Sequence, residues 1–196
     1  MPTRSGPSRR DRIKDAARAE FAKVGYSGAR VQRIADRAQV NKQLIFYYFS
    51  SKAGLYRSLI EGDAQDVCAP SSLAEAENLA TRRLRRELDQ IYTDLLDRPH
   101  LTRLLLLDAT QDRLAREIAE SIVVNLARRI STTITRGQAA GNFRDSCDPD
   151  TTARQAVSLV LGQLALEGLW GIGPVDLFRA ESLDGICELL LRGLQW

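Results

Sequence analysis

The stretch Val31 to Phe49, VQRIADRAQVNKQLIFYYF, constrains this chain more than any other. Val31, Ile34, Ala35 and Ala38 fall at i, i+3, i+4 and i+7, one apolar face of a short helix. Gln39 and Val40 make a turn. Asn41 follows as the expected N-cap of a second helix, its side-chain oxygen accepting from a free backbone N–H two or three residues on. Ile45, Tyr48 and Phe49 repeat the i, i+3, i+4 pattern and are expected to point back at the first helix. Lys42, Gln43, Leu44 and Tyr47 are left on the outer face. An α-helix fits the B-DNA major groove, and one cation, one amide, one aliphatic and one phenol suit the edges of base pairs.

Charge supports that reading. Residues 1–52 hold 12 Lys+Arg against 4 Asp+Glu, a net +8; the remaining 16 basic and 21 acidic residues, of 28 and 25 in all, give −5. All four lysines lie within those first 52 residues. A basic end on an otherwise acidic protein is the footprint of a polyanion partner.

From Ile13 to about Leu59 the chain resembles the DNA-binding domain of the TetR family of bacterial transcriptional regulators. The resemblance rests on FAKVGY (Phe21 to Tyr26), the pair Ile34-Ala35, VNK (Val40 to Lys42), FYYF (Phe46 to Phe49) and SKAGLY (Ser51 to Tyr56), in that order and spacing. It implies that Lys42, Gln43, Leu44 and Tyr47 face bases, that Gln32 reaches another base, and that Tyr48, Lys52 and either Arg30 or Arg33 meet phosphates. This chain departs from the family pattern at Ala29-Arg30, where Thr or Ser is usual, at Gln39, where Gly is usual, and at Gln43-Leu44, where Gly-Thr is frequent.

The rest reads as helices without a chemical motif. Helix 1 is expected from about Arg9 to Val24, with Gly25 as a left-handed C-cap. Ser51 caps a fourth helix that runs toward Pro70. Further helices are expected from Ser71-Ser72 to about Asp97, over the apolar run His100 to Leu107, and from about Gln111 to Ala140, where Ile118, Ile122, Leu126, Ile130 and Ile134 recur every four residues. After Gly141-Asn142, Asp148-Pro149 starts a helix to about Trp170, Gly171 to Pro174 form a loop, and the last helix covers about Glu181 to Gly193. No strand signal competes. The expected fold is all-α with about nine helices: a helix-turn-helix DNA-binding domain over residues 1–52 and a helical effector-binding and dimerisation domain over 53–196.

The last two helices are too apolar to have one buried face. With the resemblance, which implies pairing through these helices into a four-helix bundle, this predicts a homodimer with Val157, Val160, Leu161, Leu164, Ile186 and Leu190 at its interface. Tyr92, Leu105, Asp108, Asn125, Gln163 and Trp170 are candidates to line an effector pocket. Few cations are candidates for that interior, so the expected effector is mostly apolar. His100, at a helix start after proline, reads as a surface or capping residue.

Other classes find little support. One histidine and three scattered cysteines (Cys68, Cys147, Cys187) supply neither a catalytic triad nor a metal site, and there is no GxGxxG or phosphate-binding loop. No enzyme activity, cofactor or metal is therefore expected. No apolar run of about 18 residues marks a membrane span, and the basic N-terminus lacks a secretory core, so the expected location is the cytoplasm. The overall expectation is a repressor released from a palindromic double-stranded DNA operator by an apolar small molecule. The rival is an effector-independent DNA-binding protein whose C-terminal domain binds a protein partner.

Overall fold

The computed structural model describes residues 8–69, 80–168 and 181–194. All regular structure among them is helical: α1 (Arg9–Gly28), α2 (Val31–Ala38), α3 (Lys42–Phe49), α4 (Lys52–Cys68), α5 (Ala80–Leu96), α6 (Pro99–Arg103), a π-helical turn (Leu104–Asp108), α7 (Ala109–Gln111), α8 (Arg113–Ala139), α9 (Pro149–Gly168) and α10 (Glu181–Leu194). The all-α expectation is met. The proposed Gly171–Pro174 loop and the expected helix start at Ser71-Ser72 lie outside the described residues.

The helix ends follow sequence chemistry. Ser8 and Asp11 form a reciprocal capping box at the start of α1. Gly25 takes φ 71° and ψ 179° and kinks the end of that helix, where a C-cap was expected. Asp148 accepts from the Thr151 N–H at 2.8 Å beneath Pro149. Gly141, at φ 70°, ends α8.

The chain packs as two compact units, one of residues 1–65 with 98–119, the other of 66–97 with 120–196. In the first, Ile13, Ala17, Phe21, Ile34, Ala35, Ile45, Leu55, Tyr56, Leu59, Ile60, Leu101 and Leu104 are all but inaccessible. Tyr56 stacks edge-on against Phe21 at 4.8 Å between ring centroids. Of the apolar run after Pro99, only Leu101 and Leu104 are fully buried, while Leu105, Leu106 and Leu107 are partly exposed. Burial of these leucines is thus confined to one side of the segment.

Two polar clusters lie inside this unit. Asp63 accepts from Arg18 Nε at 2.9 Å and Nη2 at 2.7 Å, and sits 2.7 Å from His100 Nε2. Burial raises the Asp63 carboxyl, but the hydrogen bonds from Arg18 and His100 outweigh it and hold the group well below the usual carboxylate range. His100 is thus a buried partner of Asp63, only 4% exposed, not a surface residue. Asp108 accepts from the Tyr26 N–H at 3.1 Å, with Arg103 Nε at 3.3 Å. A Cβ on Gly25 would strike that carboxylate, so the kink near the end of α1 needs glycine both for its positive φ and for space.

The second unit is built on α5, α8, α9 and α10. Its apolar interior holds the buried Leu84, Leu88, Ile91 and Leu95 of α5, Ile122, Leu126, Ile130 and Ile134 of α8, and Ala153, Ala156, Val157, Val160, Leu164, Leu190 and Leu194 of α9 and α10. Val157, Val160 and Leu164 are at most 2% exposed, and Leu190 7%, within a single chain. Leu161 is half-buried, and the Ile186 side chain lies outside the described residues. The large apolar residues that α9 exposes are Leu159 and Leu166.

Candidate nucleic-acid interface

The helix-turn-helix is anchored from below. Ile34, Ala35 and Ile45 are fully buried and Phe49 nearly so, which fixes α3 against α2. The turn is closed by the Gln39 N–H donating to the Asp36 carbonyl at 3.1 Å and the Val40 N–H to Ala35 at 3.0 Å. Gln39 carries the left-handed conformation, φ 54° and ψ 48°, that the family gives to glycine. Asn41 caps α3 as expected, accepting from the Gln43 N–H at 2.9 Å.

With Ile45 and Phe49 inward, Lys42, Gln43, Phe46, Tyr47 and Tyr48 are exposed and Leu44 is half-buried. Tyr47, at 80%, is the most exposed of the large apolar side chains. Tyr48, expected to point back at α2, is 38% exposed and sits at the edge of the buried face. The Lys42 ammonium lies over the Phe46 ring at 5.7 Å.

The flanks are held just as locally. Ser51 Oγ accepts from the Gly54 N–H at 2.9 Å, capping α4. A Cβ at Gly54 would collide with the Phe49 carbonyl oxygen, so glycine lets α4 start against the end of α3. Lys52 sits over the Tyr26 ring at 4.8 Å and donates to the Ser27 carbonyl at 3.3 Å. Burial lowers its ammonium pKa, opposed by the charge of Asp112. At the start of α2, Arg30 and Gln32 are exposed. Gln32 Nε2 donates to Asp36 Oδ1 at 2.8 Å, and the Arg30 N–H reaches the buried Glu20 carboxylate at 3.4 Å.

This arrangement accords with the matches to known proteins. The sequence model of the bacterial regulatory proteins of the tetR family covers residues 13–59. A 67-residue stretch is 43% identical to the HTH-type transcriptional repressor SCO4008 of Streptomyces coelicolor, covering 34% of this chain and 35% of that protein. The HTH-type transcriptional repressor NicS of Pseudomonas putida is 31% identical over 202 residues, 95% of this chain and 92% of NicS. The chain belongs to the TetR family. Among solved structures, the transcriptional regulator FadR of Bacillus subtilis, in complex with stearoyl-CoA, superposes with TM-score 0.79 at 20% identity, over 94% of this chain and 98% of FadR. At that identity the likeness concerns the fold alone.

The residues expected to line an effector pocket are distributed over both units. Leu105 and Asp108 belong to the first unit, where Asp108 is already engaged at the kink near the end of α1. Tyr92, Asn125 and Gln163 belong to the second. Tyr92 is buried, Gln163 half-buried and Asn125 exposed. Trp170 lies outside the described residues.

Sequence reasoning missed a buried polar group in the second unit. Arg129, on α8, is 9% exposed and donates from Nη1 to the Val67 carbonyl at 2.9 Å. Glu87, 2% exposed, accepts from Thr133 Oγ1 at 2.9–3.0 Å and lies 3.7 Å from Arg83 Nε. Burial pushes the Glu87 carboxyl up, against the Thr133 hydrogen bond and the charges of Arg129 and Arg83. The signal was present: Arg129 and Thr133 follow Ile122 and Leu126 at i+7 and i+11, on the apolar stripe of α8.

Proposed function

We propose that this TetR-family chain is a cytoplasmic, homodimeric, DNA-binding transcriptional repressor without enzymatic activity. The observation that carries the reading is the α3 face: Lys42, Gln43 and Tyr47 stand free above a buried Ile45–Phe49 anchor. That geometry lets a helix enter the major groove without disturbing the core. Residues 1–52 form the DNA-binding domain, with Lys42, Gln43, Leu44, Tyr47 and Gln32 toward bases and Arg30, Tyr48 and Lys52 toward phosphates. The Lys52 ammonium exchanges its Ser27 carbonyl and Tyr26 ring for a phosphate oxygen on binding. Residues 53–196 hold the effector and the dimer contact, and the operator is palindromic because the protein is twofold.

Regulators of this family bind DNA and ligands and are typically dimeric. No helix among the described residues is long and apolar enough to cross a membrane, which fits the proposed location. The effector is a small molecule with a mostly apolar body, received by the leucine- and isoleucine-rich second unit. It lowers operator affinity by favouring a dimer geometry whose recognition helices no longer match successive major grooves about 34–36 Å apart. The test is a thermal-shift screen of apolar small molecules followed by operator binding with each hit. Stabilising hits are expected to weaken operator affinity at least tenfold. Hits that stabilise the protein and leave that affinity unchanged contradict effector release and leave protein-partner binding as the role of the C-terminal helices.

A further inference from the structure

Arg18 and Arg129 are chemically matched and differently employed. Arg18 presents its Nε/Nη2 edge to Asp63, with both nitrogens donating to the two carboxylate oxygens. That edge carries two parallel N–H groups and fits a carboxylate bidentately. Arg129 is more deeply buried than Arg18, yet its Nε and Nη2 are both buried without a hydrogen-bond partner. Nη1 alone is satisfied, by Val67. Burying a guanidinium edge and leaving it unpaired is unfavourable, and native interiors avoid it.

The charge balance points the same way. Among the described residues of this cluster, Arg129 and the largely buried Arg83 stand against a single carboxylate, Glu87. Arg83 Nε also lacks a hydrogen-bond partner. Glu87 is turned to Thr133, which donates to both of its oxygens. Among the described residues one positive charge is left without a counterion in a buried setting, and the unpaired Nε and Nη2 donors of Arg129 have the geometry of a carboxylate fork.

We infer that the Nε/Nη2 edge of Arg129 is an anion subsite that binds the carboxylate of the effector. The effector is therefore an amphipathic monocarboxylate, its apolar body in the leucine- and isoleucine-rich unit and its head on Arg129. A phosphate dianion fits less well, since one unbalanced positive charge does not neutralise it. This rests on the effector reading above and adds the head group to it.

Formate tests the subsite without knowledge of the apolar body. The full chain is melted in increasing sodium formate, with sodium chloride holding ionic strength constant. Three heavy atoms in one charge-assisted contact set the half-saturation at roughly 1–10 mM. Tenfold above it, the melting temperature of the wild type is expected to rise by about 3 °C. Arg129→Met abolishes the rise. Arg129→Lys keeps the charge but not the fork, so its half-saturation moves at least tenfold higher; this variant carries the test where Arg129→Met does not fold. No saturable formate effect in the wild type, or an unchanged one in Arg129→Lys, overturns the subsite. Inorganic phosphate run in parallel is expected to act more weakly, and a stronger Arg129-dependent effect of phosphate overturns the carboxylate assignment. If formate binds through Arg129 while carboxylate ligands leave operator affinity untouched, the subsite stands and effector release fails. If formate fails while an uncharged ligand releases the operator, the reverse holds.

Discussion

At the residue scale, single backbone positions decide how α3 is presented. Gln39 holds a left-handed conformation without being glycine. Such a residue is strained by about 1 kcal/mol, whereas glycine adopts it freely. Gln39→Gly is therefore expected to stabilise the protein by up to about 1 kcal/mol, read as a higher urea midpoint with an unchanged slope. A lower midpoint would mean that the Gln39 side chain contributes more than its backbone loses. The sequence disclosed this position because a glutamine stood where the family turn has glycine. It equally disclosed Asn41 as cap and Gly25 as helix end, since those roles depend on neighbours within a few residues. Tyr48 was misread because an i, i+3, i+4 pattern does not distinguish the edge of a buried face from its centre.

At the element scale, α1, α4 and α6 are tied by Asp63, Arg18 and His100. These residues are 45 and 37 positions apart, so no local pattern announces their meeting. His100 was read as a surface residue for that reason. Asp63→Asn leaves the Arg18 fork and His100 short of their carboxylate in a buried place, and is expected to cost about 3–5 kcal/mol at neutral pH. The pH dependence has a definite sign. The Asp63 carboxyl is depressed in the folded state, so the unfolded chain binds its proton first. The stabilisation is complete above the unfolded value of about 3.9 and is lost as pH falls below it toward the folded one. Urea titrations of wild type and Asp63→Asn between pH 7 and 3 should show a gap that is constant above about pH 5 and narrows below pH 4. A gap that widens on acidification contradicts the ion-pair account.

At the scale of the whole molecule, the all-helical course was legible from apolar periodicity, as in the four-residue spacing along α8. The use of each apolar face was not. Val160 and Leu190, expected at a partner surface because α9 and α10 carry more apolar residues than one face needs, are 1% and 7% exposed within a single chain. Leu159 and Leu166, at 38% and 41% exposure, are what α9 leaves over. The double substitution Leu159→Glu, Leu166→Glu is expected to give folded monomers at tens of micromolar, measured by light scattering with circular dichroism as the folding check. Val160→Glu instead buries an unpaired charge and is expected to destabilise the second unit by more than about 3 kcal/mol. Dimers that survive the double substitution unchanged would place the interface elsewhere.

The claim that the outward face of α3 reads DNA as a twofold protein is tested most directly by selecting duplexes from a random pool with the full chain. The wild type is expected to enrich a palindrome whose half-sites are about 10 base pairs apart, centre to centre, one helical turn. Gln43→Ala should relax one symmetric pair of positions, at about 1–3 kcal/mol on the preferred site. Lys52→Ala should enrich the same palindrome with uniformly weaker binding and a shallower salt dependence. Enrichment of no sequence, or of a single asymmetric site unaffected by Gln43→Ala, would contradict the account.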